Sequence, residues 1–302
     1  MTRQRAVFLG SKAFGLSVFR ALKDAEPKVE WKVIHPRDDK DPRSVESEFR
    51  QFCLSVDVPF ATLSAKTAQD RILQWRPDFV FVCGWYALID AAILQSGPQF
   101  LGIHNSLLPK YRGGAPLVWA LINGDRVVGS SLFALDGGMD DGAIFDQVEI
   151  TVDPDEHIDS VSQRIEDEWA ARLPQIWKKT VAGTLEGRVQ DHGAATYCAQ
   201  RRPEDGQIDW TSDARSIHDF VRAQSAPYPG AFTEGPNGRI TINETGIFDA
   251  PVFGTPGQIA LRGDDGPVIA CGENTGLVIA SATGPDGCDN LGSLFATLSL
   301  RF

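Results

Sequence analysis

The first hundred residues alternate without a break between short β-type apolar runs and longer stretches whose apolar residues recur at helical spacing. Residues 7–9 form such a run closed by Gly10, and residues 14–23 then carry Phe14, Leu16, Val18, Phe19 and Leu22 along one stripe. The alternation continues with a strand over 31–34, helices over 44–55 and 69–75, a strand over 79–83, a short helix over 90–94 and a strand over 100–104. Strands separated by helices pair in parallel through right-handed crossovers, and both sheet faces must be covered. The pattern therefore predicts an α/β fold.

Beyond Pro116 the spacing predicts a helix over 117–123 stopped by Gly124, then two strands over 129–135 and 143–150 with Gly137 and Gly138 between them. A long helix over 159–182 puts Ile165, Trp169, Leu173 and Trp177 on one face, and it closes a first domain spanning 1–190. From residue 196 the texture changes. After a helix over 214–225, short β-type runs at 232–233, 239–242, 246–248, 257–261, 268–271 and 276–280 are broken by Gly, Pro, Asn and Asp. Strands so spaced predict a smaller β-rich, barrel-like domain over 196–302.

Charge and composition narrow the function classes. Against 29 Lys and Arg stand 40 Asp and Glu, a net charge of −11, which disfavours a nucleic-acid partner. The longest apolar stretch, 79–89, is far short of the ~20 residues needed to cross a bilayer, and Gly10 and Lys12 interrupt the apolar run near the N-terminus before it resembles a secretion signal. No membrane association is expected. The five cysteines are scattered and never in a C-x-x-C pair, which argues against a disulfide framework and a metal site and for a reducing cytoplasm.

The chemistry concentrates in His104-Asn105-Ser106-Leu107-Leu108-Pro109-Lys110-Tyr111-Arg112-Gly113, which starts where the strand over 100–104 runs out. Ligands of parallel sheets gather outside the carboxyl ends of strands, so His104 is placed to meet one. A lone histidine there more often caps a loop. It is joined, however, by Leu135-Asp136-Gly137-Gly138-Met139-Asp140-Asp141-Gly142, whose glycines let backbone approach a flat ligand and whose Asp140 can orient an imidazole.

Together these two segments resemble the family of formyltransferases that use 10-formyltetrahydrofolate as one-carbon donor. The likeness extends through Gly10-Ser11-Lys12-Ala13-Phe14-Gly15, Ala195-Thr196-Tyr197, Asp209-Trp210, Val221-Arg222-Ala223 and Pro227-Tyr228-Pro229-Gly230-Ala231-Phe232, to about residue 235. The resemblance implies a Rossmann-like N-terminal catalytic domain and 10-formyltetrahydrofolate as co-substrate. It implies His104 as general acid/base and oxyanion donor, with Asp140 setting its charge state. Trp85, Tyr86, Leu88, Ile89, Leu108, Arg112, Gly113, Gly138 and Met139 would surround the donor; Ser11, Lys12, Asn105, Ser106 and Lys110 would face the acceptor. One position departs from the family: where its transferases carry Asn two residues before the histidine, this chain has Gly102. Residues 102 and 104 share a strand face and Asn105 points the other way, so Asn105 is no simple substitute. A backbone donor or water in Asn's place, or a hydrolase using water as nucleophile, stays open.

The acceptor expected is a small-molecule amine, first a nucleotide-linked 4-amino sugar, to which the segment around Pro109–Trp119 is most similar. Lys110 and Arg112 would receive a donor glutamate tail or an acceptor diphosphate. The loop over 35–43 is short and charge-balanced, and with the net charge it disfavours tRNA. An amino-acid amine such as hydroxyornithine, a 10-formyltetrahydrofolate hydrolase and a non-catalytic folate-binding module are the alternatives, and a homodimer stays open.

Overall fold

The structure is a computed structural model that describes residues 4–39, 41–298 and 301–302. In chain order its elements are β1 (Arg5–Gly10), α1 (Lys12–Ala25), β2 (Glu30–Pro36), α2 (Glu46–Ser55), β3 (Phe60–Leu63), α3 (Ala65–Trp75), β4 (Phe79–Cys83), α4 (Ala91–Leu94), β5 (Gln99–His104), β6 (Arg112–Gly113), α5 (Pro116–Ile122), β7 (Val127–Ala134), β8 (Ile144–Thr151) and α6 (Ile158–Val181). They continue with β9 (Tyr197–Cys198), α7 (Ala214–Arg222), β10 (Ala231–Gly235), β11 (Gly238–Phe248), β12 (Ile259–Gly263), β13 (Gly266–Ala270), β14 (Gly276–Thr283) and α8 (Leu291–Leu294). Among the described residues no helix is long and apolar enough to cross a membrane.

The chain divides into two compact units. The first holds Met1–Gly113, Gly129–Ile150 and Gln163–Tyr197, and the second holds Gly114–Val128, Thr151–Ser162 and Cys198–Phe302. Residues 114–128 and 151–162 thus group with the second unit. Side chains explain the assignment. Trp119 donates its indole N–H to Ala199 O (2.8 Å) and lies 5.0 Å from the Arg201 guanidinium, while buried Arg222 donates to Asp219 Oδ1 (2.6 Å) and Glu156 O (3.0 Å).

In the first unit a seven-stranded sheet runs β3-β2-β1-β4-β5-β7-β8. The pairs from β3 through β5 are parallel, and β7 runs antiparallel to β5 with His104 opposite Ser131. Chain order reverses between β1 and β4, so their carboxyl ends form the crevice where such sheets bind ligands. The crevice is tight: Gly84 has φ +74°, and a Cβ there would lie 2.5 Å from Ser11 O. Phe8 packs on Phe19 and Phe81 at 5.1 and 6.1 Å, and Trp177 of α6 reaches Trp31 at 5.0 Å and Phe79 at 5.3 Å. The face of α6 read from its 3.6-residue period, Ile165, Trp169, Leu173 and Trp177, is fully buried.

The second unit's β-rich part is a five-stranded antiparallel sheet ordered β10-β11-β14-β13-β12, with α7 packed on β11. The runs read as separate strands over 239–242 and 246–248 are one strand, β11. Asn243 and Glu244 looked like a break, but the pairing with β14 shifts there instead, and a bulge keeps the strand going.

Glu166 sits beside the buried face of α6, and burial, reinforced by Asp167, pushes its carboxyl from the usual 4.5 up to about 7. The folded state therefore binds this proton more tightly than the unfolded chain does. That contribution is fully present below about pH 4 and is lost as pH rises through about 7. Glu166→Gln removes the loss, so its thermal midpoint should exceed the wild type's at about pH 8 and approach it at about pH 4. Equal midpoints at the higher pH would show that burial does not penalise this charge.

Candidate active site

His104 is the last residue of β5, where Phe100 and Leu101 are packed inside and the chain turns out toward the loop over 105–113. Its Nε2 lies 2.8 Å from the carbonyl oxygen of Tyr111. A carbonyl only accepts, so Nε2 carries a proton and Nδ1 is the nitrogen that can exchange one. Nδ1 faces Asp140 Oδ2 at 3.6 Å, beyond hydrogen-bond range. Asp140 has φ +50°, and its Oδ2 accepts from the Gly113 N–H at 2.8 Å.

The loop that supplies Tyr111 O is held from several sides. Ser106 is buried and donates to Lys110 O (2.6 Å), and Ser131 of β7 donates to Ser106 O (2.6 Å) and accepts from Leu108 N (3.1 Å). Leu108 packs against Phe133 and Ile144. Thr196 straps the outer side: Tyr111 N donates to its hydroxyl and Arg112 N to its carbonyl, each at 2.8 Å. Ser106 and Leu108 thus act on the loop itself, where a ligand contact had been expected.

Arg112 also departs from expectation. It is 3% exposed and donates to Gln190 Oε1 from Nε (3.2 Å) and from a terminal nitrogen (2.7 Å), so the guanidinium is engaged inside the protein and is not open to an anion. Lys110, by contrast, is exposed. Lys12, at φ +68°, is clasped by Asp38 (2.5 Å) and Asp41 (3.0 Å). Hydrogen bonds from Arg43 hold the Asp41 carboxyl well below the usual carboxylate range. Burial opposes the charge of Asp38, but hydrogen bonds from Lys12 and Ser44 outweigh it and its carboxyl is also lowered. Ser11 is fully buried and donates to Gly84 O at 2.6 Å, which closes the crevice where an acceptor contact had been expected.

Of the residues expected around a donor, Tyr86 (65%), Leu88 (90%) and Met139 (60%) are strongly exposed apolar side chains on loops at this edge of the sheet. Trp85 and Ile89 pack onto the core, and the Trp85 indole N–H is buried without a partner. Gly138 leaves room for Asp141, since a Cβ there would meet the Asp141 carboxylate at 2.0 Å. Burial and a hydrogen bond with Asp141 push Asp136 up, which eases the crowding of three carboxylates in one turn. Among the described residues no group of three or more His, Cys, Asp or Glu side chains is arranged to hold a metal.

The space beside Gly102 is filled. A Cβ on Gly102 would lie 2.4 Å from Leu135 Cδ1, so a leucine occupies the place a longer side chain would need. Asn105 does not replace it: its Oδ1 accepts from Ser130 Oγ (3.0 Å), and Ser130 lies on the sheet face opposite Ser131 and His104. Gln190 was missed in the sequence, because a single glutamine in a loop carries no pattern.

An imidazole facing a carboxylate at the carboxyl edge of a mostly parallel sheet is an arrangement able to move protons. Comparison with known proteins gives the class its name. Residues 5–176 match the formyl transferase family and residues 201–288 the formyl transferase C-terminal domain family. The methionyl-tRNA formyltransferase of Acetivibrio thermocellus is 30% identical over 275 residues, 89% of this chain and 88% of that protein. That of Citrifermentans bemidjiense is 30% identical over 288 residues, 93% of this chain and 89% of that protein. Among solved structures, the sugar 3N-formyltransferase WlaRD shares the fold at TM-score 0.69 and 16% identity, over 92% of this chain and 97% of that one. A 4-N formyltransferase from Francisella tularensis does so at TM-score 0.68 and 17% identity, over 81% and 99%. The chain belongs to the formyltransferase family.

If Leu135 fills the space beside Gly102, Gly102→Asn overpacks it and should lose about 1–3 kcal/mol in urea unfolding. Leu135→Ala in the same chain should recover most of that loss, although Leu135→Ala alone destabilises. A double variant as unstable as the sum of the singles would remove Leu135 as the occupant.

Proposed function

We propose that this chain transfers a formyl group from 10-formyltetrahydrofolate to the amine of a small molecule, with a nucleotide-linked 4-amino sugar as the first candidate acceptor. The observation that carries the reading is the fixed state of His104: Nε2 is committed to Tyr111 O, and Nδ1 is left facing Asp140. In the proposed reaction the amine nitrogen attacks the formyl carbon, a C–N bond forms and the carbonyl π electrons move to oxygen. His104 takes the proton of the attacking nitrogen and returns it to N10 of the folate as the old C–N bond breaks, while Asp140 stabilises the charged ring. The exposed apolar side chains Tyr86, Leu88 and Met139 suit the face of a flat pterin ring.

Charge favours a small acceptor over tRNA, despite the names of the relatives. Binding a polyanion takes several unpaired cations, and here Lys12 is clasped by two carboxylates and Arg112 is buried on Gln190, in a chain of net charge −11. The same two observations favour, as a second reading, an acceptor without phosphate, such as the side-chain amine of hydroxyornithine.

Release of tetrahydrofolate from 10-formyltetrahydrofolate, assayed with amino-sugar nucleotides, hydroxyornithine, methionyl-tRNA and water alone, separates these readings. Release that depends on a small amine is the expected result. Release driven only by methionyl-tRNA, or by water, overturns the small-amine acceptor. His104→Ala should lower turnover by about 100- to 10,000-fold, since it removes the proton shuttle. Near-wild-type turnover in that variant would remove His104 from the reaction.

A further inference from the structure

Gln190 lies in the loop between α6 and β9 and is 3% exposed. All four hydrogen-bonding positions of its amide are used. Nε2 donates to Asp140 O at 2.8 Å and to Gly142 O at 2.7 Å, and Oε1 accepts from Arg112 Nε at 3.2 Å and from a terminal nitrogen at 2.7 Å. The partners fix which end is which, because carbonyls only accept and a guanidinium only donates. Glutamine is the side chain that can satisfy both at once in this position. A glutamate would aim lone pairs at two carbonyl oxygens, and a leucine would take the amide oxygen from Arg112 and the amide N–H groups from the two carbonyls.

The ring of bonds this closes runs through the reacting pair. Arg112 and Gly113 are neighbours in sequence: Arg112, through Gln190, holds the backbone of Asp140, and the Gly113 N–H holds its carboxylate at 2.8 Å. With its carbonyl and its carboxylate both anchored, Asp140 keeps its left-handed backbone (φ +50°) and its Oδ2 stays 3.6 Å from His104 Nδ1. Tyr111, whose carbonyl holds the other His104 nitrogen, immediately precedes Arg112. One buried amide therefore ties together the two loops that approach the imidazole from its two sides.

We propose that Gln190 is a positioning residue that acts through Asp140: it touches no reacting atom, but it sets where the carboxylate meets His104. The proposal rests on the reading of His104 and Asp140 as the reacting pair, and its test has one arm that needs turnover and one that does not. In the kinetic arm, Gln190→Leu and Gln190→Glu should each lower kcat by about 10- to 100-fold, as a misplaced catalytic group does. KM for 10-formyltetrahydrofolate should stay within about threefold of wild type. Gln190→Glu is the control for folding, because it keeps a partner for Arg112 and disturbs only the Asp140 side. In an Asp140→Asn background the Gln190 substitutions should cost less than about threefold more, because the group they position no longer carries its charge. Multiplicative losses in the double variants would mean that Gln190 acts independently of Asp140 and would overturn the proposal. In the second arm, amide hydrogen exchange in Gln190→Leu should speed up at least about tenfold at the Gly113 N–H bonded to Asp140, and stay unchanged at Arg112 N–H, which bonds Thr196. Unchanged exchange at Gly113 overturns the proposal even if no acceptor supports turnover; absence of turnover with normal acceleration at Gly113 instead overturns the assigned reaction and leaves the positioning role standing.

Discussion

The bond between His104 Nε2 and the Tyr111 carbonyl decides what the site can do, because it leaves one ring nitrogen for chemistry and aims it at a carboxylate. Much of the surrounding structure serves that one contact. β5 is held between β4 and β7, so its last residue emerges at a fixed height on the carboxyl edge. Ser106, Ser131 and Gln147 then pin the departing loop by hydrogen bonds to Lys110 O, Ser106 O and Leu108 O, and Thr196 straps its outer side. Without those anchors Tyr111, at φ +57°, would have no reason to hold a left-handed backbone that returns its carbonyl to the imidazole.

Electrostatics at the two flanks of the site point in different directions. On the β1–β2 side, Lys12 is clasped by Asp38 and Asp41, so its own charge is not open to a phosphate. On the other flank Arg112 is turned inward, and its charge is used to orient Gln190. Two of the cations that sequence reading assigns to ligands, Lys12 and Arg112, are here structural parts of the loops. A lysine or arginine in a motif reports where positive charge resides along the chain, but whether that charge is open is decided by carboxylates and amides brought in from elsewhere. For Arg112 the deciding residue lies 78 positions away.

The α/β class, strands β1, β2, β4 and β5 and the buried face of α6 were legible in the sequence, because period-two and 3.6-residue patterns are local and strong there. β3 was not: its four residues, Phe60–Leu63, are half-buried on an edge and too few to show a period. β11 was read as two strands because a bulge at Asn243 and Glu244 looks like a turn in one dimension. In the site, His104 and Asp140 were legible as a pair because each sits in an unusual run. Their supports were less so. Gln190 and Ser131 matter through contacts made across the fold, and nothing in their own neighbourhoods announces it; Leu135 opens the run that holds Asp140, but its packing on Gly102 does not show there.

Gly102 and Leu135 share one space and make sense only together. A glycine in the middle of a buried strand gives up packing and adds unfolded-state entropy, so it persists where something else needs the space. Leu135 needs it: its backbone N–H bonds to Phe100 O at 3.1 Å, and its side chain lies over Gly102 on the face that carries His104. The wall beside the imidazole is therefore hydrocarbon, with Phe133 edge-on to His104 at 6.3 Å. An apolar wall cannot donate to a developing oxyanion, but it lowers the local dielectric, and electrostatic interactions are stronger in such surroundings than in water. With a leucine beside Gly102 in place of an amide, the polar groups facing the imidazole are the Tyr111 carbonyl and the Asp140 carboxylate, which makes the placement of Asp140, and of whatever holds it, matter to the proposed reaction.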